Sequence, residues 1–241
     1  MSNSVQACPE ATSLLDLLQQ AGEIALFLDF DGVIAELAPT PDSVVVAPAM
    51  IARLQSLSSA LDGALAILSG RDIGALDALL APLCLPVAGD HGNLRRRGDG
   101  RVLVANPEAE AAAEKLCEVL GAQFADDPRI IVEQKPSAVA VHYRLAPERA
   151  DECIAAVLAA AADFPALSVI YGKMVIEARA RGASKGEALR AFMAEAPFAG
   201  RTPICVGDDV TDEDGFAAAQ ALGGAGIKVG EGKSEARFRI A

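Results

Sequence analysis

Residues 24–36 read IALFLDFDGVIAE, a five-residue apolar run that stops at Asp29, meets a second acid at Asp31 and turns at Gly32. An unbroken apolar run of this length, closed by acidic and glycine residues, predicts a strand buried on both faces of a parallel sheet. Ligands collect at the carboxyl ends of strands in open parallel sheets, so Asp29 and Asp31 are expected to face a site. There Asp29 is placed to act as a nucleophile, and Asp31, two residues on, as general acid and base at the same centre. Asp-Gly is also an ordinary tight turn, and this stretch alone leaves both readings open.

Working outward, strand and helix patterns alternate. Residues 50–60 predict a helix, 64–68 a strand, 73–80 a helix and 86–88 a short strand, the rhythm of a parallel sheet with helices on its faces. The rhythm changes after His91 and Gly92. Residues 94–104 contain RRRGDGR, a Gly-Asp-Gly turn between two potential strands, and predict a hairpin. A helix at 107–123, strands at 130–133 and 138–144, a helix at 147–161 and strands at 167–171 and 174–178 follow. Adjacent strands without intervening helices imply an antiparallel sheet with helices on one face. After Arg181 the first rhythm returns: a helix at 184–194, a strand at 202–206, a helix after Thr211 and a strand ending at Val229. The expected organisation is a split α/β core, residues 1–92 and 180–241, interrupted by an α+β unit at 93–179.

Composition limits the partners. With 52% hydrophobic residues, no Trp and only 4% aromatics, the core must be built from Ala, Leu, Val and Ile. A formal charge of −12 opposes broad binding to nucleic acid or to an anionic membrane. A phosphate ligand therefore needs a local cationic pocket or a metal. Cys8, Cys84, Cys117, Cys153 and Cys205 form no CxxC pair and have no nearby histidines, so they are expected to be reduced and mostly buried. The first twenty residues carry no Lys or Arg and no long apolar segment, unlike a secretory signal. The Ala-rich stretch at 153–162 is about half the ~20 residues of a membrane span. A cytoplasmic protein is the resulting expectation; oligomeric state stays open, with a monomer as the default.

Three further motifs carry chemistry. Residues 206–216, VGDDVTDEDGF, gather Asp208, Asp209 and Asp212 just after an apolar strand. Clustered acids repel one another unless a cation neutralises them, and an all-oxygen set suits Mg2+; a solvated acidic helix start is the other reading. Residues 68–72, LSGRD, place Ser69, Gly70 and the amides of a helix start at another strand end, either an anion cradle or a simple N-cap by Ser69. GASKGEAL puts Lys185 near a helix start, as a phosphate contact or a solvated surface charge.

In order, strand–DxD, strand–SG, Lys and strand–GDDxxD resemble the haloacid dehalogenase superfamily of phosphatases. The resemblance implies a haloacid-dehalogenase-like Rossmannoid core with a parallel sheet plus an inserted α+β (αββαββ) cap domain. It narrows with FLDFDGVIAELAPTPD, LSGRD, GDHGN, EQKPSAVAVHYR, GKMVIEARARGASKG and GDDVTDEDGF, which together are similar to trehalose-6-phosphate phosphatases along nearly the whole chain. That family implies Asp29 as nucleophile and Asp31 as acid/base. It implies Mg2+ on Asp29, the backbone carbonyl of Asp31 and Asp208, with Asp209 or Asp212 in the surrounding shell. Ser69, Gly70 and Lys185 resemble the phosphate-binding set, and Glu133, Lys135 and Glu177 the groups that hold sugar hydroxyls. Arg71 and His91 are further candidates for substrate contact, and Arg144, Lys173 and Arg179 for the same pocket or for structural ion pairs. His142 is expected to be hydrogen-bonded scaffold. The implied partner is a small-molecule sugar phosphate. Two departures stand out: Val33 and Ile34 replace the more frequent Thr-Leu, and the sequence stops at Ala241 where relatives usually continue into another helix. Competing readings are a phosphatase for sucrose phosphate or mannosyl-phosphoglycerate, and a sugar-phosphate-binding regulator without turnover.

Overall fold

The computed structural model describes residues 13–20, 22–36, 43–172 and 174–240. Cys8 and Lys173, singled out above, lie outside the described residues. In chain order the elements are α1 (Leu14–Gln20), β1 (Ile24–Asp29), α2 (Pro48–Ala60), β2 (Leu65–Leu68), α3 (Ile73–Leu80), β3 (Val87–Gly89), β4 (Leu94–Arg96) and β5 (Val102–Val104). Then come α4 (Glu108–Gln123), β6 (Ile131–Lys135), β7 (Ala138–His142), α5 (Ala150–Ala161), β8 (Leu167–Gly172) and β9 (Val175–Ala180). The chain continues with α6 (Lys185–Met193), β10 (Thr202–Gly207), α7 (Glu213–Ala221), β11 (Ala225–Val229) and β12 (Phe238–Ile240).

Two compact units result, Met1–Val102 with Ser184–Ala241, and Leu103–Ala183. The boundary expected after residue 92 therefore moves. Leu94–Arg96 pairs antiparallel with Val87–Gly89 and extends the core sheet instead of opening the second unit. At the other end, Arg181 donates to the carbonyls of Pro165 and Leu167, and Ala183 is buried in the second unit's core, so residues 180–183 stay with that unit. Neither α1 nor β12 was anticipated: α1 has only seven residues, and β12 sits in a charged, Gly-rich stretch.

Among the described residues the larger sheet runs in the order β12–β11–β10–β1–β2–β3–β4–β5. From β12 to β3 every pairing is parallel. Strand order reverses beside β1: β2 and β3 extend the sheet to one side, β10 and β11 to the other. Such a switch point opens a crevice at the carboxyl ends of β1 and β10. The continuous apolar run of β1 is explained by packing on both faces, one fully buried and the other partly buried. Ala25 and Phe27 pack with Leu189, Phe192 and Phe216 of α6 and α7, while Leu26 and Leu28 pack against the clusters around Leu54, Leu76 and Leu17. A strand with helices on both sides has no solvated face on which to place polar residues.

The second unit is an antiparallel sheet in the order β6–β7–β9–β8. Val139, Val141, Ile176 and Ala178 share one core with Ala113, Leu116 and Leu120 of α4 and Cys153 and Val157 of α5. Alternation along the strands sends Glu133, Lys135, His142, Glu177 and Arg179 to the opposite face. The strand expected at 138–144 ends at His142, which leaves Arg144 beyond the sheet. Among the described residues, no helix is long and apolar enough to cross a membrane.

Candidate active site

Asp29 closes β1, and strand parity decides where it points. It lies on the same side as Ala25 and Phe27, the side covered by α6, and Lys185 is the first residue of that helix. Ser184 starts α6 by accepting from the amide of Glu187 at 3.1 Å. The Lys185 ammonium then sits 2.8 Å from Asp29 Oδ1 and donates to Asp212 Oδ1 at 2.6 Å. Lys185 is 4% exposed, which rules out the solvated-charge reading. The amide of Phe30 donates to Asp29 Oδ1 at 2.7 Å, so the carboxyl is oriented by its own backbone as well.

From the neighbouring strand end, β10 delivers the acidic turn. Asp212 is buried, and its Oδ2 accepts from the amides of Asp208 and Asp209 at 2.9 and 3.0 Å. Both Asp212 oxygens are thus engaged in ordering the loop and in holding Lys185. Asp209 caps the short turn at Val210–Asp212 and is exposed, so the structure does not bring it into the acidic group. Gly32 makes room for Asp208: its φ is +80°, and a Cβ there would meet the Asp208 carboxylate at 2.2 Å.

Among the described residues, Asp29, Asp208 and Asp212 each offer a carboxylate oxygen, and these atoms lie within 4.8 Å of one another. Hard oxygen donors in this number suit Mg2+ rather than a thiophilic metal. The electrostatics agree. Burial raises the Asp29 pKa from 3.8 to about 7, with a further rise from Asp212 and an opposing pull from Lys185. Burial also raises Asp208, followed by the charges of Asp212 and Asp209. Burial alone would lower Lys185, but Asp29 and Asp212 outweigh it and hold the ammonium charged. The site carries more negative charge than its lysine offsets, and a bound cation relieves that imbalance.

Asp31 turns elsewhere. Arg71 forks onto it through Nε and Nη2, each at 2.8 Å, while its guanidinium lies 5.4 Å from the centre of the Phe30 ring. The arginine of LSGRD is therefore tied to the second acid of the first motif. Ser69 is buried; its amide donates to Ala88 O at 2.8 Å and its Oγ accepts from the amide of Arg71 at 3.1 Å. One expectation for this loop is corrected: the N-cap of α3 is Asp72, which accepts from Ala75 N, not Ser69, and the helix starts at Ile73. His91 adopts φ 53° and ψ 25° and lies against Gly70, where a Cβ would be 2.6 Å from its ring.

In the second unit, Lys135 donates to Glu177 at 3.0 Å, and His142 Nε2 lies 2.8 Å from Glu133 Oε2. Glu133, Ala140 and Glu177 are direct cross-strand neighbours in one row. Ala138 and Ala140 on the central strand keep that row low between longer flanking side chains. His142 belongs to this polar face; the two-residue alternation with Ala138 and Ala140 was the available signal. Lys228, at the end of β11, was missed altogether. It is buried in a run that reads as plain strand, and it lines a cleft of about 480 Å³ with Gly32, Asp208 and Glu231.

The trehalose-phosphatase family model matches residues 27–239. The chain is 42% identical over 228 residues to the trehalose-6-phosphate phosphatase of Escherichia coli K12, covering 95% of this chain and 85% of that protein. It is 45% identical over 210 residues to a probable trehalose-phosphate phosphatase of Sinorhizobium fredii, covering 86% and 77%. Among solved structures it is similar to a trehalose-6-phosphate phosphatase related protein, with a TM-score of 0.74, 27% identity and coverage of 90% and 91%.

Proposed function

We infer that this chain, which belongs to the trehalose-phosphatase family, hydrolyses the phosphate ester of trehalose 6-phosphate through a phosphoryl-Asp29 intermediate. The observation that carries the mechanism is Asp29 itself: a buried carboxylate at a strand end, 2.8 Å from a buried lysine and grouped with Asp208 and Asp212. A protein that only binds sugar phosphate gains nothing from burying such a group.

In this reading an Asp29 oxygen attacks phosphorus, the ester P–O bond breaks, and Asp31 passes a proton to the departing sugar oxygen. Asp31, now a carboxylate, takes a proton from a water whose oxygen attacks phosphorus. The Asp29–phosphoryl bond breaks, inorganic phosphate leaves and both carboxyl groups are restored. Asp31 must leave the Arg71 fork to do this, a rotation of one side chain. Lys185 and the Ser69 hydroxyl stabilise charge on the phosphoryl oxygens. Mg2+, held by the Asp29 and Asp208 carboxylates and the Asp31 carbonyl, with Asp212 ordering the loop, would offset repulsion between Asp29 and the phosphoryl group. Glu133, Lys135 and Glu177 supply charge-assisted hydrogen bonds to sugar hydroxyls.

The test is phosphate release from trehalose 6-phosphate, sucrose 6-phosphate, mannosyl-phosphoglycerate and p-nitrophenyl phosphate, for wild type and Asp29→Asn, with Mg2+ and with EDTA. We expect the highest kcat/KM on trehalose 6-phosphate, no turnover in EDTA, and none from a folded Asp29→Asn protein. Near-wild-type release by that variant rejects the covalent route, activity after rigorous chelation rejects the metal, and a better sugar ester replaces the substrate.

A further inference from the structure

We propose that Lys228 is a positioning residue that clamps the backbone of Asp208 and thereby sets the affinity of this chain for Mg2+. The inference rests on the metal reading above. Lys228 is in direct register with Gly207, the residue before Asp208, on the adjacent parallel strand. Lys228 is 5% exposed, a costly position for an ammonium unless its donors find acceptors. They do: Nζ donates to the carbonyl of Asp208 and, at 2.7 Å, to that of Val229. Asp208 is consequently gripped at both ends. Its amide donates to Asp212 Oδ2 at 2.9 Å, and its carbonyl accepts from Lys228. Those two anchors fix the backbone from which the Asp208 carboxylate projects toward the acidic group.

The clamp and the charge of Lys228 act in opposite directions, which makes the sign of the effect decisive. As a bare positive charge near a cation site, Lys228 weakens Mg2+ binding, and removing it tightens binding. As a clamp it orients a ligand, and removing it weakens binding. Partners that orient a metal's ligands contribute about ten- to a hundredfold to affinity, so the clamp is expected to dominate.

Mg2+ binding is measured by titration calorimetry on wild type, Lys228→Met and Lys228→Gln, alongside metal-free thermal unfolding and KM for p-nitrophenyl phosphate at saturating Mg2+. Lys228→Met, with neither donor nor charge, is expected to bind Mg2+ about ten- to a hundredfold more weakly with KM unchanged at saturation. Lys228→Gln, which keeps a donor without the charge, is expected to fall between it and wild type. If Lys228→Met does not fold, Lys228→Gln decides alone by whether its affinity falls. Unchanged or tighter binding in the folded variants overturns the clamp, as does a lower metal-free melting temperature with unaltered Mg2+ affinity. A wild type that binds no Mg2+ overturns the metal reading and the clamp together, whereas normal wild-type binding with unaffected variants overturns the clamp alone.

Discussion

Asp29 is kept in a state that costs the folded protein stability. Its pKa rises from 3.8 to about 7 because burial removes it from water and Asp212 stands nearby, against the pull of Lys185. A folded-state pKa above the unfolded value means that the native protein holds the proton more tightly than the unfolded chain. Its stability contribution is therefore most favourable below 3.8 and declines as pH rises toward about 7. Asp208 is shifted in the same direction. Without metal, the urea unfolding midpoint of wild type is expected to carry this downward component with rising pH, and the difference between Asp29→Asn and wild type isolates it. On the proposed metal reading, Mg2+ at pH 8 is expected to restore stability by binding only the native state. Asp208→Asn should raise the metal-free melting temperature while removing most of the Mg2+-induced increase. A metal-free Asp208→Asn protein that melts below wild type, or keeps the full Mg2+ increment, contradicts the charge argument.

At the level of elements, the site depends on how α6 is fixed against β1. Phe27 of β1 stacks on Phe198 with ring centres 5.4 Å apart, and Phe192 of α6 lies 5.0 Å from Phe198 and 6.1 Å from Phe27. Phe192 is seven residues, close to two turns, beyond Lys185, so the face that buries the ring also presents the ammonium. Phe192→Ala is expected to cost about 3–5 kcal/mol by leaving a cavity, read as a lower urea midpoint; a loss under 1 kcal/mol would mean that the cluster does not anchor the helix. The strand end of this arrangement was legible in the sequence. IALFL declares a doubly buried strand, and Asp29 follows at its end. The direction of Lys185 was not legible, because a lone lysine at a helix start looks the same whether solvated or buried. Lys228 and Arg71 were obscured for the same reason: each makes its decisive contact with a residue distant in sequence, and Lys228 lies in an ordinary strand pattern. The switch from Ser69 to Asp72 as the cap of α3 is a local matter, in which two cap-forming residues three positions apart competed and the acid won.

For the whole molecule, the change of rhythm after Gly92 announced a second core, because a period-2 pattern without intervening helices cannot be built into a parallel sheet. Its boundary was misplaced by one hairpin, since β4 is assigned by its pairing with β3 and not by its own three residues. The two units bury separate hydrophobic clusters, and on the proposed reading they also separate chemistry from recognition. Substitutions on the polar face of the second unit should then discriminate between substrates. Glu133 provides the cleanest probe. It and its partner His142 have 47% and 37% exposed side chains, and exposed pairs contribute little to folding, so Glu133→Ala should leave stability nearly unchanged. Lys135 and Glu177 are more buried, at 25% and 11%, and removing either breaks the ion pair between them, so their variants require a matched unfolding measurement. Losing one charged hydrogen bond to a sugar hydroxyl should lower kcat/KM for trehalose 6-phosphate by about 1.5–3 kcal/mol, roughly ten- to a hundredfold. p-Nitrophenyl phosphate has no hydroxyls to hold and should lose much less. Because remote binding energy is also used to orient the reacting group, kcat on the sugar ester is expected to fall together with affinity. If Glu133→Ala slows both esters equally, or neither, sugar recognition does not reside in this residue, and the same comparison applied to Lys135→Ala and Glu177→Ala decides whether it resides on this face at all.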